Sequence, residues 1–477
     1  LGITSYDFIA GGTGSGNVNK AYVTSILEGL EGLGFSVEPS LRKLYTTYKD
    51  YQAALTESVR GSNTFFGRGA APEMQVDKAL IDKVSKTADI AVLTIGRNSG
   101  EGGDRKINAD FDLTGLEIEL LNNTCNAFHK EGKKVVVVLN VGGVIETASW
   151  KHLPDAILLA WQPGQEGGNS VADVLSGSAY PSGKLPMTFP VAYLDIPSSF
   201  NFPYDYDRTA TSTSILSRGT AVAERKNVDY TEYEEDIWVG YRYFQTFAPD
   251  QVLYPFAAGR SYTTFEYSDI SCSYADSEVR VSIKVTNTGS YTGRKVVTLF
   301  VKAPDGKLSK PAIVFIGSAK TGELLAGASE TVTITAPARY FASFDGTGLI
   351  LEEGKYILSV GGNVSEAYEI GSFVIDKTTL LESLTCALAP RKSFRRMIAR
   401  KAGSGYEIDY EDTPLATEDM LDRRMESVPQ EIPQTGDKGI KLADVKSGKN
   451  TMDEFIAQLS DEDLACIIRG EAESSVL

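Results

Sequence analysis

Two near-continuous apolar runs, Ala88 to Ile95 (ADIAVLTI) and Lys133 to Asn140 (KKVVVVLN), lie either side of a segment with helical periodicity. That arrangement restricts the fold more than any other feature of the chain. A run that is apolar at almost every position, rather than at every second one, suits a strand covered on both faces by helices in a parallel sheet. Ala156 to Trp161 repeats the pattern. Between the first two runs, Thr114 and Glu117 form a T-x-x-E capping box; Leu116, Leu120, Leu121, Cys125 and Phe128 fall on one helical face, and Gly132 supplies a stop. An earlier helix is predicted through Tyr22, Ile26, Leu30 and Leu33 to Gly34, and a later one over Val171 to Leu175 ending at Gly177. Residues 1–203 therefore read as an α/β sandwich domain with a mostly parallel sheet.

The period changes further on. Residues 204–262 are rich in Tyr, Asp, Glu, Ser and Thr and read as a connector with one short element near Ile237 to Phe244. From Thr263 the pattern alternates: Val279, Val281, Ile283 and Val285 are separated by polar residues, and strand-like runs follow at Val296–Val301, Thr331–Thr335 and Tyr356–Val360. Residues 263–376 are thus expected to form a β-sandwich of fibronectin type III or immunoglobulin kind. Residues 377–450, with Arg and Lys clustered over Lys392 to Lys401 and few apolar anchors over 404–450, read as a linker or solvated arm, and 451–477 as a helix pair broken near Ser460. The fold class expected is α/β plus all-β with a partly helical tail.

Composition removes several functions. A net charge of −16 disfavours nucleic acid and anionic membranes, both of which reward clustered Lys and Arg. No stretch approaches the roughly 20 apolar residues of a membrane-spanning helix. Cys125, Cys272, Cys386 and Cys466 are scattered without zinc-site or disulfide spacing and are expected to be reduced core thiols. Only His129 and His152 occur, so a metal centre or a Ser-His-Asp triad built within the chain would have to use one of them, and catalysis, if any, is expected to rest on carboxylates without a cofactor. The opening residues show no signal-peptide pattern, which gives a cytoplasmic expectation.

In an open α/β sheet, functional groups gather at the carboxyl ends of the strands. Two glycine-rich loops qualify. The first, Gly11-Gly12-Thr13-Gly14-Ser15-Gly16, fails as a dinucleotide-binding turn because Asn17 stands where the third glycine belongs. It also fails as a nucleophile elbow, since Thr13 and Asn17 occupy glycine positions. It is either a tight turn without a ligand or a close backbone approach to one, with the Ser15 hydroxyl on offer. The second runs from Gly96 to Arg105 (GRNSGEGGDR). Glu101, set among glycines, could reach a substrate oxygen as a general acid. Alternatively Glu101 and Asp104 pair with Arg97 and Arg105 in a surface turn, which would depress the carboxylate pKa. For Glu101 to act as the acid, Arg105 should be occupied mainly by Asp104.

The ordered series IGRNSGEGGDR, KKVVVVLNVGGVIETASW, AILLAWQPGQEGGNSVADVLSGSAYPSGKLPMTFP, YEEDIWVGYRYFQTF and YPFAAGRSYTTFEYS resembles glycoside hydrolase family 3 β-glucosidases over roughly residues 1–376. The resemblance implies that Glu101, in an EGxDR motif, is the acid/base, that Ser15 reaches the sugar site, and that Asp104 and Arg105 support them. It implies a retaining β-glucosidase acting on terminal β-D-glucosides, cellobiose among them. The nucleophilic Asp would come from a TIM barrel, as a second chain or a continuation of the same polypeptide. No Ser-Asp-Trp stretch carrying that Asp occurs here, while Asn450 to Gly470 resembles the helix that introduces the barrel. The chain thus resembles the domain-inverted subgroup, truncated before the barrel. Its expected partners are a β-glucoside or oligosaccharide and the barrel segment, with a homo-oligomer left open and with neither nucleic acid nor membrane. Ala257 and Arg260 depart from the glycine and leucine usual in PFGxGLSYT, which puts that loop's shape in question. The rival reading is a non-catalytic carbohydrate-binding or scaffold chain.

Overall fold

The computed structural model describes residues 1–60, 70–101, 105–200, 232–386 and 388–470. Its first sheet is parallel, in the order β1 (Ile90–Arg97), β2 (Lys134–Val141), β3 (Ala156–Leu159). The apolar runs are there because each strand feeds two cores. Ala91, Leu93 and Ile95 of β1 and Val135, Val137, Leu139 and Val141 of β2 enter one cluster with Ile81, Leu121 and Phe128. Val92 and Val138 join Ile26 and Val171 in another. With a period of two along each strand, both faces are thereby covered.

Five helices belong to this layer: α1 (Ile26–Gly32), α2 (Pro39–Arg60), α3 (Lys78–Thr87), α4 (Gly115–Lys130) and α5 (Gly167–Ser176). The capping box on α4 forms as expected, Thr114 Oγ1 accepting from the Glu117 N–H at 3.2 Å and Glu117 Oε2 accepting from the Thr114 N–H at 2.8 Å. The first helix is shorter than its periodicity suggests. Ser25 and Glu28 form a capping box that starts it at Ile26 and leaves Tyr22 outside, exposed. A satisfied cap overrides one more apolar residue at helical spacing. Helices α2 and α3 add to those expected.

A short antiparallel pair, β4 (Phe189–Pro190) and β5 (Val252–Tyr254), and α6 (Tyr241–Phe247) lead into the second layer. Much of the expected connector lies outside the described residues. Strands β6 (Phe265–Ala275), β7 (Glu278–Asn287), β8 (Val296–Lys302), β9 (Val314–Lys320), β10 (Ser329–Pro337), β11 (Ser343–Phe344), β12 (Gly348–Leu351), β13 (Gly354–Gly361) and β14 (Tyr368–Ile375) follow. Two antiparallel sheets, β10-β7-β6 and β14-β13-β8-β9, share one core that includes Val279, Val281, Ile283 and Val285. The fold class is α/β plus all-β, as the change of period indicates.

The segment expected to be a solvated arm is partly ordered into strands. β15 (Thr379–Ser383) pairs with β12, and β16 (Arg395–Ala402) and β17 (Gly405–Asp412) form a hairpin. Cross-strand ion pairs such as Arg396–Glu411 and Arg400–Glu407 decorate that hairpin, while Met397 is buried and its carbonyl accepts from Trp238 Nε1 at 2.9 Å. Its strand character resides in alternating charge and one anchor, so a search for apolar runs passes over it. Of the four cysteines only Cys125 is buried; Cys272 and Cys386 are half-buried and Cys466 is exposed, so the expectation of core thiols holds for one residue.

The chain divides into two compact units, Leu1–Leu384 with Lys392–Pro414, and Thr385–Arg391 with Leu415–Leu477. The second contains α7 (Met420–Glu426), α8 (Leu442–Lys446), α9 (Met452–Ala457) and α10 (Asp461–Arg469), the last capped by Ser460 where the break is expected. Among the described residues, no helix is long and apolar enough to cross a membrane.

Ala257, one of the departures from the expected motif, is buried and sits at φ 65°, a left-handed conformation that costs an L-residue about 1–2 kcal/mol. Its methyl recovers about 0.8 kcal/mol by burial. Ala257→Gly should therefore leave stability unchanged or raise it slightly in denaturant unfolding. A loss above about 1 kcal/mol would show that the methyl outweighs the backbone strain.

Candidate active site

Three loops meet at the carboxyl edge of the parallel sheet, and Asn140 near the end of β2 joins two of them from below. It is fully buried. Its Oδ1 accepts from the Ile9 N–H at 2.8 Å, and its Nδ2 donates to the Ile9 carbonyl at 2.9 Å and the Trp161 carbonyl at 2.7 Å. These bonds fix the chain entering the Gly11–Gly16 loop and the turn after β3. Gln162 in that turn ties it to the loop after β1: Ser99 Oγ donates to Gln162 Oε1 at 3.0 Å, and Gln162 Nε2 donates to the Arg97 carbonyl at 3.2 Å. Sequence reasoning misses Asn140 and Gln162. A polar residue closing an apolar run is the only signal for the first.

The two glycine-rich loops are joined directly. Thr13 N–H donates to the Ser99 carbonyl at 2.7 Å, and Thr13 Oγ1 to the Glu101 carbonyl at 3.0 Å, making a parallel bridge between Thr13 and Gly100. The approach is close enough to require glycine. A Cβ on Gly14, at φ +66°, would stand 2.5 Å from Glu101 Cβ, and one on Gly100, at φ +123°, 2.5 Å from the Thr13 carbonyl oxygen. Ser15 and Glu101, assigned separately from sequence, are therefore brought together. Glu101 Oε1 accepts from the Ser15 N–H at 3.0 Å and also from the Ser15 hydroxyl.

Both arginines of the second loop are engaged elsewhere. Arg97 is held by Glu117 through two bonds of 2.6 and 2.7 Å, both side chains nearly buried, and its Nε donates to the Asp110 carbonyl at 2.9 Å. Removing one partner from such a buried pair costs about 3–5 kcal/mol, because the other charge is left uncompensated. Arg105 Nε pairs with Asp110 Oδ2 at 2.8 Å and its NH2 donates to the Val144 carbonyl at 2.8 Å. Arg105 is thus occupied by Asp110, and the expected pairing with Asp104 falls outside the described residues.

His129 Nε2 lies 2.9 Å from Asp155 Oδ2, and Lys134, the Val135 N–H and His129 together hold that carboxyl well below the usual range. Among the described residues, no group of three or more His, Cys, Asp or Glu is placed to hold a metal.

A family model for the glycosyl hydrolase family 3 C-terminal domain matches residues 4–241, and one for a fibronectin type III-like domain matches residues 295–364. The chain belongs to glycoside hydrolase family 3. A β-glucosidase of Ruminococcus albus is 38% identical over an alignment covering 100% of this chain and 47% of the relative. β-Glucosidase A of Butyrivibrio fibrisolvens is 31% identical, with 98% and 60% covered. Among solved structures, a β-glucosidase from Paenibacillus barengoltzii superposes with a TM-score of 0.85 at 34% identity, covering 99% of this chain and 50% of that one. β-Glucosidase 3B from Thermotoga neapolitana, in complex with α-D-glucose, gives 0.69 at 38% identity, with 80% and 50% covered. The chain spans about half the length of the curated relatives it matches.

Glu101 is fully exposed, and the Ser15 hydroxyl followed by the Ser15 N–H lowers its pKa from the ordinary 4.5. Both donors favour the ionised form. Folding therefore gains from this group above pH 4.5 and loses the gain as pH falls through the depressed value. In a carbon-detected NMR titration, Glu101 should protonate below ordinary glutamates, and Ser15→Ala should move it partway back, since the N–H donor remains. A midpoint that Ser15→Ala leaves in place would show that the hydroxyl does not set the charge state.

Proposed function

We propose that this chain supplies the acid/base half of a retaining β-glucosidase acting on terminal β-D-glucosides. Glu101 is the acid/base, and the nucleophilic Asp belongs to a TIM-barrel segment, either a second chain or a continuation of this polypeptide. One observation carries the reading: an exposed carboxylate stands where two glycine-rich loops meet at the carboxyl edge of the sheet, in a chain whose full-length similarity is to proteins named β-glucosidases.

The chemistry follows from two carboxylates in different roles. Protonated Glu101 gives its proton to the glycosidic oxygen while the Asp attacks the anomeric carbon, and the aglycone leaves. Glu101, now ionised, takes a proton from the water that attacks the glycosyl-enzyme, restoring the first state with net retention. No cofactor enters this cycle.

Ser15 favours the ionised form, which suits the second step and opposes the first. A sugar hydroxyl that takes over the Ser15 Oγ, together with water exclusion by the barrel segment, raises the Glu101 pKa toward that of a working acid. Arg105, already paired with Asp110, leaves that rise unopposed. Asp104 and Arg105 then support the loop and do not contact the glycosidic bond.

The rival, a carbohydrate-binding chain without catalysis, draws on the same depressed pKa. Kinetics of the complete enzyme separate the two. Glu101→Ala should slow disaccharide hydrolysis by about 10²–10⁴-fold. With an aryl glucoside bearing a good leaving group it should give a burst and then slow turnover, since glycosylation no longer needs an acid. Azide should accelerate that turnover and yield the β-glucosyl azide. Near-normal disaccharide turnover without azide rescue would take Glu101 out of the role, and an α-azide would contradict retention.

A further inference from the structure

In a chain of net charge −16, four cationic side chains gather around one cavity of about 390 Å³. Lys184 comes from the segment preceding β4, Arg260 from the loop after β5, and Arg294 and Lys295 from the entry to β8. Arg260 is one of the two departures already noted in the PFGxGLSYT stretch, so its charge is not accounted for by the shared loop.

Two carboxylates lie near the cluster, Glu366 toward Lys184 and Lys295 and Glu323 beyond Tyr180 from Arg294. Lys184 Nζ donates to the Gly259 carbonyl at 2.7 Å, and Lys295 Nζ lies 5.9 and 5.8 Å from the ring centroids of Phe265 and Tyr267. Arg294 stands beside the Tyr180 hydroxyl, which donates to Glu323 at 2.7 Å. None of the four closes an ion pair with a carboxylate among the described residues. Burial and then the charge of Lys295 pull the Lys184 ammonium down to about 8, with Glu366 opposing. Like charges gathered in a partly buried space raise the energy of the empty state, and an anion between them lowers it.

A second observation points into the same cavity. Ser261, on its wall, is half-buried, and its hydroxyl has no hydrogen-bond partner among the described residues. Buried hydroxyls are normally satisfied, and an unsatisfied one beside a cationic cavity is a ready donor to an anionic oxygen. The volume falls within the roughly 300–1,000 Å³ of small-molecule sites, with room for more than a bare phosphate. Phe265, Val296 and Pro181 supply apolar wall for the remainder.

We propose that this cavity binds a small phosphate monoester, the phosphate held by Lys184, Arg260, Arg294, Lys295 and the Ser261 hydroxyl. The test is calorimetric titration of the purified protein with glycerol 3-phosphate and inorganic phosphate, against sodium chloride at matched ionic strength. Both phosphates should bind, the ester more tightly, and chloride should give no saturable heat. Arg260→Leu and Lys295→Glu should each weaken binding by at least about tenfold, the loss of one charge-assisted bond. Arg260 is exposed, so its variant keeps the test open if Lys295→Glu fails to fold. Absence of saturable binding by either phosphate, or binding that Arg260→Leu leaves unchanged, overturns the proposal.

Discussion

Arg97 ends the first strand of the parallel sheet with its guanidinium nearly buried, and the position of the candidate site follows from how that charge is held. Glu117 clamps it with two bonds while also capping the helix that covers the sheet. One carboxylate thus fixes the strand end, the helix start and, through the Arg97 carbonyl accepting from Gln162, the turn after β3. A glycine-rich loop that starts from so constrained a strand end can hold Glu101 in one location. Asn140 plays the corresponding part under the first loop. Burial of both groups means that neither can relax without leaving an unpaired polar atom.

The site itself is a contact between two segments that are weak alone. Each is held by the other through the Thr13–Gly100 bridge and the Ser15–Glu101 bonds. The same bonds that locate Glu101 also favour its ionised form. A resting carboxylate of depressed pKa is suited to the base step, and the acid step requires a change in its surroundings. The proposed function assigns that change to substrate and barrel together, so the positioning device and the charge control are one interaction.

The sheet is legible in the sequence because strands covered on both faces must be apolar at nearly every position, and Val137 and Val138 show why, facing different cores. The sandwich is legible because its one buried face imposes a period of two. Other features are not. Tyr22 has helical spacing, but the cap at Ser25 decides where the helix begins. The β16–β17 hairpin carries alternating charge with Met397 as anchor, so apolar counting passes over it. Glu101 and Ser15 can each be singled out by their glycine neighbours. Their contact cannot, since it depends on the chain between them, a separation of 86 positions, folding first. The pairing of Arg105 with Asp110 is hidden for a related reason: Glu and Asp near Arg in sequence offer several pairings, and spacing does not rank them.

If Glu101 is the acid, it must leave Ser15 to meet the glycosidic oxygen when substrate binds. The most direct measurement is a crystal structure of the complete enzyme with a sulfur-linked cellobiose analogue, which binds as substrate and resists cleavage. A Glu101 carboxyl oxygen should then lie within hydrogen-bond reach of the bridging sulfur, with Ser15 turned to a sugar hydroxyl. A Glu101 still bonded to Ser15, with another carboxyl group at the bridging atom, would contradict the assignment.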